Sequence, residues 1–357
     1  MDMTTLLDIK DNVSGELTDA ANGEKTSFLF IKNQLPDTPL LKVGETMQTM
    51  VAGGSVFRSA LVTKTENGLE VRKPQEKNHG SFDTKESFMS YLSENLAPDV
   101  KLVALNLGHG LEPVFRNGIL DGKLITAAKE HKFEGLLGEN VGEELEKYSL
   151  EKAGRDIKVS VANDTICLML SGLTKYPAEN LAAGIVGTGT NFAIFLDKTI
   201  AVNLEAGGFD NFQLSPTGEQ IDSASNQQDF HLFEKEIAGA YLFEHFNLAI
   251  KEKGIDYPPL TDSEQLDKII RDNTPEVAQI AQDIFDRSAQ LSAVMIAGIV
   301  DFYKRDVTFV MLGSLFWKAV GFKEMVESTV KELVPDYKVT FDSVENADYL
   351  GAAKLIA

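Results

Sequence analysis

Residues 182–196 read AAGIVGTGTNFAIFL, the clearest structural pattern in the chain. Two apolar runs flank the turn Gly187-Thr188-Gly189-Thr190, a pattern that predicts a strand, a tight glycine turn and a second strand. Residues 48–63 repeat the arrangement around Gly53-Gly54. Segments with helical periodicity lie between the two hairpins. Strands mixed with helices in this way predict an α/β protein with layered sheets.

Both glycine turns carry residues suited to bind phosphate. Glycine has no Cβ, so phosphate oxygens can approach the backbone N–H groups of such a turn closely. Thr188 and Thr190 add hydroxyl donors to one turn, and Ser55 adds one to the other. Neither turn is a Walker loop, since no Gly-Lys-Ser/Thr follows, and neither opens a helix as a dinucleotide fingerprint does. The alternative is that the glycines serve only to form hairpins.

Bulk composition limits the classes of partner. The chain has 357 residues, 43% of them hydrophobic and 25% charged, which suffices for about two domains. Its formal net charge of −20 opposes attraction to nucleic acid or to an anionic membrane, so a small-molecule partner fits better. The single cysteine, Cys167, excludes an internal disulfide. With no signal-peptide pattern and no apolar run of about 20 residues, we expect a soluble, cytoplasmic protein.

Periodicity predicts helices at residues 139–153, 230–246 and 277–303, the last of them rich in Ala and Ile and expected in the core. Residues 1–24 are rich in Asp, Gly, Ser and Thr, so we expect partial disorder there. Residues 31–41 carry two prolines and are expected to form a loop.

A polar triplet follows an alternating strand pattern at residues 159–162. In α/β proteins the end of a strand holds a side chain rigidly while it faces a ligand. Asp164 can accept the proton of an attacking hydroxyl as a general base, and Asn163 can bind a neighbouring hydroxyl. The alternative is that Asn163-Asp164-Thr165 is the N-cap of a helix that follows, and this role is compatible with catalysis.

Four segments, in this order, resemble successive motifs of the hexokinase family: Asn163-Asp164-Thr165, residues 184–191, residues 203–209 and residues 233–242. A weaker likeness extends from about Gly53 to the end of the chain, where Gly351-Ala352-Ala353 resembles the small-residue segment that closes the fold.

The resemblance implies a two-lobed, actin-like and ribonuclease H-like (hexokinase-type) α/β fold with a central cleft. It implies an N-terminal extension at residues 1–45 and a small lobe at 46–162, to which a C-terminal helix at 346–357 returns. The large lobe would then comprise residues 163–345.

The resemblance also implies roles for individual residues. Asp164 would be the general base for a sugar hydroxyl, with Lys129 and Arg58 as further catalytic groups. The residues expected to hydrogen-bond the sugar are Asn163, Asn191, Glu205 and Glu234. The residues expected to bind the nucleotide are Gly53, Gly54, Ser55, Gly187, Thr188, Gly189, Thr190, Gly313 and Ser314. The implied cofactors are ATP and Mg²⁺, and the implied partner is a hexose-type sugar.

Taken one at a time, several of these residues have ordinary alternatives. Glu205 and Glu234 are of a type that usually stays solvated at the surface. Lys129 fits an exposed helix lysine equally well, and Arg58 fits an arginine on a strand face. Only the ordered set of motifs favours the functional roles.

The chain also departs from the family pattern. Val51 stands where the family has an aspartate that helps to hold magnesium. A predicted loop at residues 111–114 lacks the family's sugar-binding serine, and Ala128 replaces a threonine. Each lost hydrogen bond would weaken sugar binding by about 0.5 to 1.5 kcal/mol, so a hexose other than glucose, or an amino or substituted sugar, is a candidate substrate.

Two functions of different classes follow from these observations. The first is an ATP-dependent hexose kinase, which the intact Asn163-Asp164 pair favours. The second is a sugar-binding regulatory pseudokinase, which Val51 favours. An actin-like structural role would leave the set Asn191, Glu205 and Glu234 without a purpose.

Overall fold

The computed structural model describes residues 1–127, 131–272 and 274–357. They divide into two units. The first unit comprises Met1–Phe30, Gly184–Phe192 and Leu204–Asp342, and the second comprises Ile31–Ala183, Ala193–Asn203 and Ser343–Ala357. The lobe boundaries expected from the sequence stay a prediction.

The described residues form both helices and strands, interspersed along the chain, so the predicted α/β class is confirmed. The helices are α1 Met3–Ala21, α2 Lys85–Glu94, α3 Val141–Ala153, α4 Asp164–Gly172, α5 Pro216–Ala224, α6 Leu232–Ile237, α7 Gly239–Glu252, α8 Glu264–Asp272, α9 Pro275–Tyr303, α10 Ser314–Lys318, α11 Phe322–Leu333 and α12 Ala347–Ala353. The strands are β1 Ile31–Gln34, β2 Thr46–Ala52, β3 Val56–Thr65, β4 Gly68–Asn78, β5 Leu102–Leu107, β6 Gly110–Arg116, β7 Ile119–Thr126, β8 Lys158–Ala162, β9 Leu181–Val186, β10 Thr190–Phe195, β11 Ile200–Asn203, β12 Val307–Leu312 and β13 Val339–Asp342.

In the first unit, α1 packs against the long helix α9, so the disorder expected for residues 1–24 is wrong. The apolar side chains of α1 recur every three or four residues, and this amphipathic stripe is buried. The stripe consists of Leu6, Ile9, Val13, Leu17 and Ala20. Asp2 caps the helix by accepting a hydrogen bond from the Thr5 N–H at 2.8 Å. The polar residues between the apolar positions masked this periodicity in the sequence.

The second unit holds a five-stranded sheet in the order β4-β3-β2-β5-β8. The predicted hairpin around Gly53-Gly54 is confirmed, because β2 and β3 pair in antiparallel register with Val51 opposite Arg58. Strand β5 pairs in parallel with both β2 and β8. The apolar core of this unit lies under the sheet, against α2 and α3.

Two segments expected to be loops contain strands. Part of the segment at residues 31–41 forms β1, which pairs in antiparallel register with β11. Residues 111–114 belong to β6, which forms a hairpin with β7 in spite of Pro113. Both strands are held by pairing partners that lie elsewhere in the sequence or across a turn. The composition of each segment alone is a weak predictor of strand structure.

The predicted helix at residues 230–246 is broken. Helix α6 ends at Ile237, Ala238 takes an extended conformation (φ −79°, ψ 141°), and α7 begins at Gly239. A continuous helix would direct the N–H groups of Gly239 and Ala240 to carbonyls one turn earlier. Here they bond the turn at residues 187–188 instead. The helices predicted at 139–153 and 277–303 are confirmed as α3 and α9, and α3 ends at Gly154 in the left-handed conformation.

Within the described residues, no helix has both the length and the apolar content required to cross a bilayer.

The contact between α1 and α9 yields a stability prediction. A Cβ added at Gly298 would lie 2.3 Å from Val13 Cγ1 and 3.2 Å from the Lys10 carbonyl oxygen, whereas a Cβ at Gly15 on α1 would meet nothing within 4 Å. We expect Gly298→Ala to lower the free energy of unfolding by about 1 to 3 kcal/mol through overpacking. The same change at Gly15 should leave it unchanged or raise it by up to about 1 kcal/mol. Urea titration of both variants measures the difference, and equal midpoints would contradict the packing of α1 described above.

Candidate active site

The glycine turn at residues 187–190 lies in the first unit, between β9 and β10. The Gly239 N–H donates to the Gly187 carbonyl at 2.8 Å, and the Ala240 N–H donates to the Thr188 carbonyl at 3.0 Å. In a planar trans peptide the C=O and the following N–H point in opposite directions. The two bonds therefore turn the N–H groups of Thr188 and Gly189 away from α7, where they can donate to an anion.

Close backbone approach makes glycine necessary beside this turn. A Cβ at Gly313, which has φ 125°, would lie 2.0 Å from the Val186 carbonyl oxygen. A Cβ at Gly187 would lie 3.1 Å from Gly313 Cα, and one at Gly239 would lie 2.9 Å from the Gly187 oxygen. Gly187 and Gly313 were predicted from the sequence and lie together. Gly239 was missed, although it stands within the segment 233–242 that carries the family resemblance.

A cavity of about 470 Å³ opens beside the turn, within the first unit. Its lining includes the apolar side chains of Phe243, Phe285 and Leu315, together with polar groups. Its polar and small residues include Gly187, Thr188, Thr261, Asp262, Ser263, Asp267, Ser314 and Lys318. Ser263 Oγ accepts from the Phe243 N–H at 3.0 Å and donates to the Gly239 carbonyl, which fixes one wall. A partly apolar cavity with convergent polar groups, beside a turn whose N–H groups can donate to an anion, fits a nucleoside phosphate.

Three predicted sugar-binding residues come together in the first unit. Asn191 Nδ2 lies 3.5 Å from Glu205 Oε1, and Asn191 Oδ1 accepts from the Ala206 N–H at 3.1 Å. Glu234 Oε1 accepts from the Thr190 N–H at 3.2 Å. All three side chains are half-buried. Carboxylate and amide groups in this arrangement offer a polyol both acceptors and donors.

A buried ionic network supports the short helix that carries Glu234. Lys235 Nζ lies 2.6 Å from Asp222 Oδ1, and Arg287 Nε lies 2.6 Å from Glu236 Oε2. His245 completes the network, since its Nε2–H donates to the Lys235 carbonyl at 2.9 Å. Its Nδ1 therefore accepts from the Thr217 hydroxyl at 2.7 Å, and the ring is neutral. Sequence reasoning missed these residues, because a buried Lys or Glu looks like a surface residue until its partner is known.

In the second unit, Asn163 and Asp164 lie where β8 meets α4. Asn163 Oδ1 accepts from the Thr165 N–H at 2.8 Å, so it caps α4 as the alternative interpretation predicted. Asp164 stands in the first helical turn, half-buried, and its Oδ1 also accepts from the Thr165 N–H at 2.8 Å. A carboxylate at a helix N-terminus is stabilised in its charged form. The geometry fits a rigidly held proton acceptor.

The first glycine turn, residues 53–55, also lies in the second unit. The Gly53 N–H donates to the Val56 carbonyl at 3.2 Å, and the Ser55 carbonyl accepts from the His79 N–H at 3.0 Å. Arg58 pairs with Glu76 at 2.7 Å and with Asp348 at 2.9 Å. The hydrogen bond to Glu76 is the main reason that the pKa of Arg58 is raised. The arginine is thus bound to two carboxylates of its own unit.

Lys129 and Ala128 lie outside the described residues. The small-residue segment 351–353 belongs to α12, where a Cβ at Gly351 would lie 1.7 Å from the Cys167 carbonyl oxygen on α4. Only glycine permits this close helix contact.

Comparison with known proteins identifies the relatives. The family model described as Hexokinase matches residues 181–256 and 260–357. A hexokinase of Emericella nidulans is 27% identical over 440 aligned positions, which cover all of this chain and 88% of that protein. Hexokinase-7 of Oryza sativa is 27% identical over 69% of this chain and 66% of that protein. A hexokinase from Schistosoma mansoni, solved in complex with glucose, superposes with a TM-score of 0.79 at 21% identity over 100% of this chain and 95% of that one. The predicted hexokinase-type fold is confirmed.

The neutral His245 yields a pH prediction. Burial lowers the pKa of His245 below its ordinary value near 6.5. Between these two pKa values the unfolded chain binds more protons than the folded one, so stability rises with pH. We therefore expect the contribution of the neutral, buried His245 to the free energy of unfolding to have its full value above pH 6.5. This contribution should decrease as the pH drops below 6.5 toward the pKa of the folded state. Urea titrations from pH 5 to 8 measure this. His245→Gln should flatten the slope in that window, and an unchanged slope would exclude His245 as its source.

Proposed function

Because the chain belongs to the hexokinase family, we propose that it transfers the terminal phosphoryl group of ATP to a hydroxyl of a hexose or related sugar. One observation carries the proposal. The turn at residues 187–190 presents backbone N–H groups beside a cavity of about 470 Å³, and a Cβ on Gly239 or Gly313 would clash with the backbone of residues 186–187 that leads into this turn. An anion-binding backbone next to a partly apolar cavity is what a nucleoside triphosphate requires.

The nucleotide assignment follows from this arrangement. The adenosine would occupy the cavity, between Phe243 and the start of α10, with Ser314 at its edge. The phosphates would accept hydrogen bonds from the N–H groups of Thr188 and Gly189. The turn at Gly53, Gly54 and Ser55 would bind phosphate oxygens in the same manner. Phosphoryl transfer depends mainly on positioning and charge neutralisation, so oriented amides suit the reaction.

Asp164 would serve as the general base. Its carboxylate would accept the proton of the sugar hydroxyl while that oxygen forms a bond to the terminal phosphorus and the bond to ADP breaks. Asn163, Asn191, Glu205 and Glu234 would hydrogen-bond the other hydroxyls, so that no polar group of the sugar loses its partner when water leaves. Lys129 remains a candidate for a further cationic contact.

Magnesium would be held chiefly by the phosphates of ATP and by water, as is common for this ion. The first glycine turn offers it no carboxylate, because the isopropyl group of Val51 cannot ligate a metal. Arg58 would contribute little to neutralising the phosphates, since Glu76 and Asp348 already balance its charge. These two features support the second candidate, a sugar-binding protein with slow or no turnover.

ADP release distinguishes the two candidates. We expect turnover with ATP, Mg²⁺ and one member of a panel of hexoses and amino sugars. Asp164→Asn keeps the acceptor for the Thr165 N–H but cannot take a proton, and it should lower kcat by about 10²- to 10⁴-fold. A coupled assay measures the rate, and thermal melting confirms that the variant folds. Full activity in the variant would remove Asp164 from this role. If no sugar of the panel gives ADP release but a sugar raises the melting temperature of the wild type, the non-catalytic sugar-binding protein is favoured.

The sugar assignment is tested at Glu234. Glu234→Gln retains an oxygen for the Thr190 N–H but loses the charge, so the KM for sugar should rise about tenfold, as expected for a lost hydrogen bond to a charged group. The KM for ATP should change little. Glu219→Gln on α5 is the matched control, because Glu219 is exposed in the same unit. If both variants keep the wild-type KM for sugar, Glu234 does not contact the substrate.

A further inference from the structure

Aromatic and histidine rings pack behind the first glycine turn, inside the second unit. The His131 ring stacks with Phe82 and Phe133, at centroid distances of 5.4 and 5.0 Å. His79 and His109 lie 5.7 and 5.5 Å from it. His131 is only 6% exposed. None of the catalytic or binding roles proposed above uses this cluster.

His131 joins two backbone segments through its ring nitrogens. Its Nδ1 accepts a hydrogen bond from the Phe82 N–H at 2.9 Å. Its Nε2 lies 2.9 Å from the Gly54 carbonyl oxygen, which can only accept. The tautomer is therefore fixed, with the proton on Nε2 and the lone pair on Nδ1. One buried side chain thus ties the glycine turn to the segment that precedes α2.

The bond to Gly54 determines where the next N–H points. Because the peptide between Gly54 and Ser55 is planar and trans, a carbonyl directed to His131 sends the Ser55 N–H the opposite way. The Ser55 carbonyl is likewise held by the His79 N–H at 3.0 Å, which turns the Val56 peptide. Within the described residues, the Ser55 N–H donates to no protein group. The turn is anchored through its carbonyls and leaves an amide directed away from the cluster.

We propose that His131 is a positioning residue that orients the Gly54–Ser55 peptide as a donor to a phosphate group of the nucleotide. The identity of that ligand rests on the function proposed above, whereas the anchoring does not. Without the bond to His131, glycine's freedom would let this peptide rotate and lose the direction of its N–H. His131 acts through the turn and does not touch the ligand.

Three substitutions separate the hydrogen bonds from the packing. His131→Phe keeps the ring stacks and removes both bonds. His131→Gln supplies an oxygen for the Phe82 N–H and an amide donor for the Gly54 carbonyl. His131→Asn keeps an acceptor in place of Nδ1 but is too short to reach Gly54. If the Phe variant does not fold, the Asn variant still tests the bond to Gly54, since it leaves the buried Phe82 N–H paired.

The first measurement is amide hydrogen exchange of the ligand-free protein. The Gly53 N–H donates to the Val56 carbonyl within the turn, so its exchange reports the rigidity of the turn. In peptides that cover residues 53–56, we expect this N–H to exchange about tenfold faster in the Phe and Asn variants, as expected when one restraining hydrogen bond is lost, and at the wild-type rate in the Gln variant. Peptides from α9 should exchange at the wild-type rate in all three. Unchanged exchange at residues 53–56 in the Phe and Asn variants would overturn the anchoring, whether or not the protein is a kinase.

The second measurement is calorimetric binding of the ATP analogue AMP-PNP with Mg²⁺, compared with adenosine. We expect the Kd for AMP-PNP to rise about tenfold in the Phe and Asn variants and to stay near wild type in the Gln variant, while the Kd for adenosine is unchanged in all. Faster exchange at the turn with unaltered AMP-PNP affinity would overturn the assignment of this turn to phosphate. Wild-type protein that binds neither probe would instead contradict the nucleotide site of the proposed function, with the anchoring still decided by the exchange data.

Discussion

Three backbone segments approach one another closely beside the glycine turn at residues 187–190, and this contact orients the neighbouring groups of the candidate site. Val186, Gly187 and Gly313 lie so near one another that a single Cβ at Gly313 would overlap the Val186 carbonyl oxygen. Gly239 adds the start of α7 to the same contact. This packing breaks the helical segment at Ala238 and fixes the direction of the turn peptides. It also places Glu234, four residues before Ala238, against the Thr190 N–H.

The two glycine turns use one physical device. In each, protein groups bond the carbonyl oxygens and leave the opposite N–H groups directed outward: α7 does this for Gly187 and Thr188, and the two histidine residues do it for Gly54 and Ser55. A chain with a net charge of −20 repels a polyanion at long range. In the proposed function, fixed amide dipoles at contact distance would be the means of holding ATP, and their orientation would matter more than the overall charge.

Sequence patterns predicted the features that local chemistry dictates. Both hairpins, α3, α9 and the cap at Asn163 were predictable, because glycine turns, apolar periodicity and capping residues act over a few positions. The predictions that failed concern features that depend on residues distant in the sequence. Helix α1 is ordered by α9, and the break at Ala238 by the turn at 187–188. The roles of Lys235, Glu236 and His131 depend on the buried groups that pair with them, which no local pattern reveals.

The ionic network under α6 is better explained by its effect on the orientation of this helix than by a contribution to the stability of the unit. Burying Lys235, Asp222 and Glu236 costs desolvation energy that ion pairing roughly offsets. Apolar side chains in their place would therefore stabilise the unit to a similar extent. A helix of six residues cannot hold its own conformation, however. Consecutive residues bound to different partners, Lys235 to Asp222 and Glu236 to Arg287, prevent the helix from rotating about its axis. That restraint fixes the direction of Glu234, and apolar packing alone would leave it free to shift by part of a turn.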